Sequence, residues 1–122
     1  GRSVLDNQVV HFRLAELRTE VEALRALTWN AIEQYVAGQD VTRLASMAKL
    51  KAGRLRREVS DACLQYWGGM GFTWESDCHL FYRRAKHLSL VIGGERVWKD
   101  KLIERLAARG AQTRASRARD AA

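Results

Sequence analysis

The sequence predicts an all-α chain, an up-and-down bundle of four helices in which two long antiparallel helices precede two shorter ones. Three observations carry that prediction. The 122 residues contain no proline, and 47% are hydrophobic, a share ordinary for a globular domain in a composition dominated by alanine, leucine, arginine and glutamate, which are good helix formers. Apolar residues recur at alternating spacings of three and four over two long stretches, the period of one helix face. Glycine pairs then punctuate the second half of the chain (Gly68-Gly69 and Gly93-Gly94), as helix ends require.

The first helix is expected from about Asn7 to Val36, on a stripe of Val10, Leu14, Leu17, Val21, Leu24, Thr28, Ala31 and Tyr35. Gly38 terminates it and Asp40 caps the next. The second carries Leu44, Ala48, Ala52, Leu55, Val59, Ala62 and Tyr66 on one side, with Lys49, Lys51, Arg54, Arg56 and Arg57 mostly off that side. The short connection "AGQD" forces the two antiparallel. Ser76 or Asp77 caps a third helix with Phe81, Ala85, Leu88 and Ile92 inward. A fourth follows Gly93-Gly94, burying Val97, Trp98, Leu102 and Leu106 and fading by Gly110. Phe12, Leu27, Trp29 and Ile32 widen the first apolar face beyond what four helices cover, which calls for further domains or subunits against it.

Charge and cysteine usage bound the function. Lysine and arginine outnumber acids by 21 to 14, a formal charge of +7, which suits an acidic or phosphate-bearing ligand. Residues 109–122, "RGAQTRASRARDAA", carry four of those arginines and no apolar period, so they read as a basic, disordered tail; solvated ends of this kind more often bind nothing than nucleic acid. No run approaches a membrane span and no signal-peptide pattern opens the chain. Cys63 and Cys78 lack metal-ligand spacing and read as reduced thiols of a cytoplasmic protein.

The stretch "LQYWGGMGFTWES", Leu64 to Ser76, is the most informative. Gln65 offers an amide, Tyr66 and Trp67 can wall a planar group, and Gly68, Gly69 and Gly71 remove side chains beside a helix end. Gly93 and Gly94 do the same at the start of the last helix, where amides favour an anion. "GGMG" is no Walker loop, since no Lys-Ser or Lys-Thr follows, and no dinucleotide fingerprint, since no strand precedes it. By residue type alone, Trp67, Phe72 and Trp74 read as core aromatics.

The order of these landmarks, "QYWGGMGFTWESDCHLFYRRAKHLSLVIGGERVWKDKLIERL" after "GRSVLDNQVVHFRLAEL", resembles the C-terminal helical domain of the acyl-CoA dehydrogenases, over about residues 1–108. Gly1 matches the glycine of that family's Phe-Gly pair. The resemblance implies FAD as cofactor, with Gln8, Gln65, Tyr66, Trp67, Gly68 and Gly69 at the adenosine–pyrophosphate end of a neighbouring subunit's FAD. Gly94, Glu95 and Arg96 then face the subunit's own flavin, and Gly93 the substrate. It implies a tetramer or dimer, an acyl-CoA substrate oxidised at its α,β-carbons, and an electron carrier. The family's catalytic glutamate falls at Ile92, which cannot take a proton; Glu95 is a weak substitute. The base therefore lies elsewhere in the enzyme, or the chain comes from a relative, oxidase-like or inactive, without the usual base. His79 and His87 read as surface or packing residues. The competing reading, from the bundle and tail alone, is a non-enzymatic interaction module.

Overall fold

The computed structural model describes residues 3–91 and 93–120; the expectations for Gly1 and Ile92 lie outside the described residues. Each helix boundary has a local cause. A single 3₁₀ turn, Val4–Asp6, is closed by a reciprocal box: the Ser3 hydroxyl accepts from Leu5 N–H and the Asp6 carboxylate from Ser3 N–H. Asn7 Oδ1 then accepts from Val9 N–H at 3.1 Å, opening α1 (Gln8–Val36). Gly38, at φ +76°, ends it. Asp40 Oδ1 takes both the N–H and the hydroxyl of Thr42, at 2.9 and 2.6 Å, one residue ahead of the cap position, which Val41 rather than the expected Asp40 holds at the start of α2 (Thr42–Trp67). Gly68, at φ +57°, closes α2 into a 3₁₀ turn over Gly68–Phe72. The Ser76 hydroxyl, rather than Asp77, accepts from Cys78 N–H to start α3 (Cys78–Leu90). The fourth helix, α4, runs Glu95–Asp120.

Among the described residues the architecture is all-helical with four helices, as read from the sequence. Its organising element is α2, against which α1, α3 and α4 all pack. Arg13–Glu58 at 3.0 Å and the Lys51–Glu20 pair set α1 antiparallel to it. Lys49 reaches Leu88 O at 3.1 Å, while Arg54–Glu95 (3.5 Å) and Arg105–Asp40 (3.0 Å) fix α4. The partners of α4 run from Arg54 on α2 back to Asp40 just before it as the chain advances, so α4 returns antiparallel along α2.

Two expectations need correcting. The fourth helix does not fade by Gly110: it continues to Asp120, making it as long as α2. Alanine and arginine propagate a helix that Trp98 and Leu102 have already nucleated; residues 109–117 are fully solvent-facing. The core is also narrower than the stripes imply. Its buried apolar side chains are Val10, Leu17, Leu44, Leu55 and Leu64. Phe81 is 74% exposed and Leu88, Val97 and Leu106 about half exposed, because among the described residues α3 and α4 pack chiefly on α2, with the 3₁₀ turn beside α3. Ser46 is wholly buried, its hydroxyl satisfied by Thr42 O at 2.7 Å, which offsets the cost of burying it.

Candidate functional site

At the first glycine corner each glycine has its own reason. Gly68 needs its positive φ to turn the chain out of α2. Gly71 is buried, and a Cβ there would meet Trp67 Cβ at 3.1 Å and Leu64 O at 3.3 Å. Gly69 is different: its φ is ordinary and a Cβ would meet nothing within 4 Å. That bare, exposed peptide is open to approach from outside.

Beside it, Gln65 is exposed on the last turn of α2 and borders a cavity of about 410 Å³ shared with Asp61, Phe72, His79, Tyr82 and Arg83. His79 Nδ1 sits 2.8 Å from Ser76 O, which fixes the proton on that nitrogen. Its Nε2 is buried with no partner, and Trp74 stands edge-on at 4.7 Å between centroids. The cavity therefore combines an amide, two aromatic rings, a guanidinium, the Asp61 carboxylate and the edge of the His79 ring, whose Nε2 is closed off from it. Phe72, Trp67 and Trp74 are not core: they are 72%, 59% and 81% exposed. Trp67 lines a separate apolar groove between α1, α2 and α3, and Tyr66 is half-buried. Thus Phe72 and Tyr82, rather than Tyr66 and Trp67, flank Gln65. Gln8 is exposed at the start of α1; the register set by Arg13–Glu58 puts it level with the end of α2.

The second corner is partly filled by its own chain. Gly93, at φ +96°, packs under Val97 Cγ1 (3.3 Å from a built Cβ), and Trp98 Nε1 donates to Gly93 O at 3.1 Å. Gly94 stays open. Gly94, Glu95 and Arg96 lie level with Arg54, eleven residues before Gln65, so the two corners stand about 16 Å apart along α2. The structure does not bring them into one site.

Glu95 is held by Lys99 at 2.7 Å and Arg54 at 3.5 Å. The hydrogen bond and charge of Lys99, then the charge of Arg54, keep its carboxyl below the usual range, the opposite of what a general base needs. Ile92 lies outside the described residues, and His87 is solvent-exposed on α3. Both cysteines are free; burial, and then proximity to Cys78, pushes the Cys63 thiol up, so it is no ready nucleophile. Among the described residues there is no metal-ligand cluster and no helix long and apolar enough to cross a membrane.

Comparison with known proteins fits this fold. Residues 1–107 match the family model for the acyl-CoA dehydrogenase C-terminal domain. The mitochondrial short/branched chain specific acyl-CoA dehydrogenase of Bos taurus is 36% identical over 86 residues, 70% of this chain and 20% of that protein. The Caffeyl-CoA reductase-Etf complex subunit CarC of Acetobacterium woodii is 29% identical over 97 residues, 80% of this chain and 26% of that one. A solved chain from "Electron transferring flavoprotein of Acidaminococcus fermentans: Towards a mechanism of flavin-based electron bifurcation" superposes with a TM-score of 0.79 at 29% identity, over 87% of this chain and 28% of that chain. The chain thus spans between 20% and 28% of the length of these relatives.

Proposed function

The chain belongs to the acyl-CoA dehydrogenase family, as its C-terminal domain, and from that premise we propose that it is the FAD-contacting and assembly domain of an acyl-CoA dehydrogenase. The whole enzyme oxidises an acyl-CoA thioester at the α,β-carbons and passes electrons to a carrier protein; the 122 residues alone are catalytically silent. When bound, FAD supplies the hydride acceptor. The observation that carries the reading is the open Gly69 peptide beside Gln65 and its cavity. The residues present fit the adenosine–pyrophosphate end: Gln65 would supply a hydrogen bond to it, Phe72 and Tyr82 aromatic surface, Arg83 a positive charge, and the glycines room for its backbone. Gln8, at the same end of the bundle, completes the set. Gly94 and Arg96 approach a second cofactor from the other corner, with Gly93 toward substrate; 16 Å of α2 between the corners suits two cofactors rather than one, at about 1.5 Å per helical residue.

The base does not come from this domain. Glu95 is neutralised by Lys99 and Arg54, and the family position carries Ile92. Proton abstraction therefore falls to a carboxylate outside residues 1–122, or the protein is a relative that binds flavin without dehydrogenating. The reduced cysteines are in keeping with an enzyme of the cytoplasm or of an organelle matrix.

Purified full-length protein should be yellow. Gln65→Ala should weaken flavin retention about threefold to tenfold, the worth of one hydrogen bond, and Gly69→Val should weaken it more. Retention equal to wild type in both variants removes this corner from the cofactor site. Bleaching of the flavin spectrum by one member of a panel of acyl-CoA thioesters identifies the substrate; no bleaching by any member identifies the inactive relative.

A further inference from the structure

Where α2, the end of α3 and the start of α4 meet, the chain forms a small, partly open cavity of about 100 Å³. Four cations line it: Lys49, Arg56 and Arg57 from α2 and Lys86 from α3. The single acid on its wall, Glu95, is already engaged by Lys99 and Arg54. Lys49 Nζ is turned to the Leu88 carbonyl. Arg56 Nε is buried with no hydrogen-bond partner, and among the described residues Arg56, Arg57 and Lys86 make no salt bridge. Like charges gathered on one small cavity repel, and an anion among them removes that penalty.

The backbone is shaped for the same purpose. Gly53 sits in the interior of α2, where glycine is less favourable than alanine. A Cβ built there, or at Gly94 across the cavity, meets nothing within 4 Å, so neither glycine is demanded by packing. Both keep the cavity free. The first amides of α4 have no partner inside their own helix and add to the positive field.

We propose that this cavity binds a single phosphate group, free or as a phosphomonoester, gripped by the Arg56 and Arg57 guanidiniums and the Lys86 ammonium. Guanidinium pairs suit a tetrahedral oxyanion. The volume is about that of three waters, right for one phosphate and too small for a dinucleotide. Bound there, the anion ties α3 and α4 to α2 at the corner between them. The site goes beyond the flavin reading and stands whether or not that reading does.

The test is calorimetric titration of full-length protein with inorganic phosphate at constant ionic strength, sodium chloride replacing phosphate in the control. Saturable binding is expected, weakened at least tenfold by Arg57→Gln and by Lys86→Gln. These exposed residues can change without loss of fold, which an unchanged Tm in phosphate-free buffer verifies. Arg109→Gln, the same charge change on the free part of α4, should leave binding intact. Competition by CoA identifies its 3′-phosphate as the natural source; no competition leaves free phosphate. Flavin retention should be equal in all three variants. No saturable heat, equal weakening by Arg109→Gln, or loss of phosphate binding on loading with FAD each overturns the proposal.

Discussion

Gly69 and Gly71 stand two residues apart and should respond to a methyl group in opposite ways. At Gly71 the added carbon would press on Leu64 O and Trp67 Cβ, at 3.3 and 3.1 Å. Neither can retreat, since one is main chain and the other is one bond from it. Gly71→Ala should therefore destabilise by about 1–3 kcal/mol, as overpacking does. Gly69→Ala meets open space at an ordinary φ, so it should be neutral or gain up to about 1 kcal/mol through the unfolded chain. Thermal melts of both variants measure this directly. Equal losses would show that Gly69 is structural too, leaving no reason to assign its bare peptide to a ligand. The sequence shows three glycines and cannot divide them, because the division depends on which side chain lies underneath. The same holds for His79. Its type and position mark it as a surface or packing residue, and only the structure shows Nδ1 on Ser76 O and the ring on the wall of Gln65's cavity.

At the scale of the element, α4 divides into a docked half and a free half. Trp98 and Leu102 are half-buried and Arg105 reaches Asp40, whereas residues 106–117 are exposed throughout. The family match ends at residue 107, where the docking also ends. Truncation after Ala108 should then leave stability within about 0.5 kcal/mol of wild type, the range of surface changes, and flavin retention unchanged. A substantial fall in either, read by melting and by absorbance, would mean the free half packs on another part of the full-length protein. Helix starts and stops are legible in the sequence because their causes are local: Asn7, Gly38, Asp40 and Ser76 act through atoms within two or three residues. The far end of α4 is not. Its arginine- and alanine-rich stretch lacks the apolar period that marks a docked helix, yet has the propensity to extend one already formed. Periodicity reports burial, and this segment is helical without being buried. Phe81, Val97 and Leu106 show the converse. Their spacing marks an inward face, but these 122 residues leave that face uncovered.

That uncovered surface dominates the whole molecule. A compact monomer of 13.9 kDa exposes roughly 6,700 Å², whereas this chain exposes 9461 Å². The free end of α4 contributes part of the excess. Much of the rest is apolar, with Phe12, Trp29, Ile32, Trp67 and Phe81 each between 43% and 74% exposed on the helical faces. An excess of about 2,800 Å² on one partner is the scale of obligate interfaces, not of a patch that water tolerates. Among the described residues the five buried aliphatic side chains, at about 1.5–3 kcal/mol each, give too small a core to order four helices. Produced alone, the 122 residues should accordingly be helical by far-UV circular dichroism, bind a hydrophobic dye, and melt broadly at a temperature that rises with protein concentration. The same helices within the full-length protein should melt sharply and exclude the dye. A sharp, concentration-independent transition from a monomer would refute the assembly role, because helices that are stable by themselves need no further surface to complete their core.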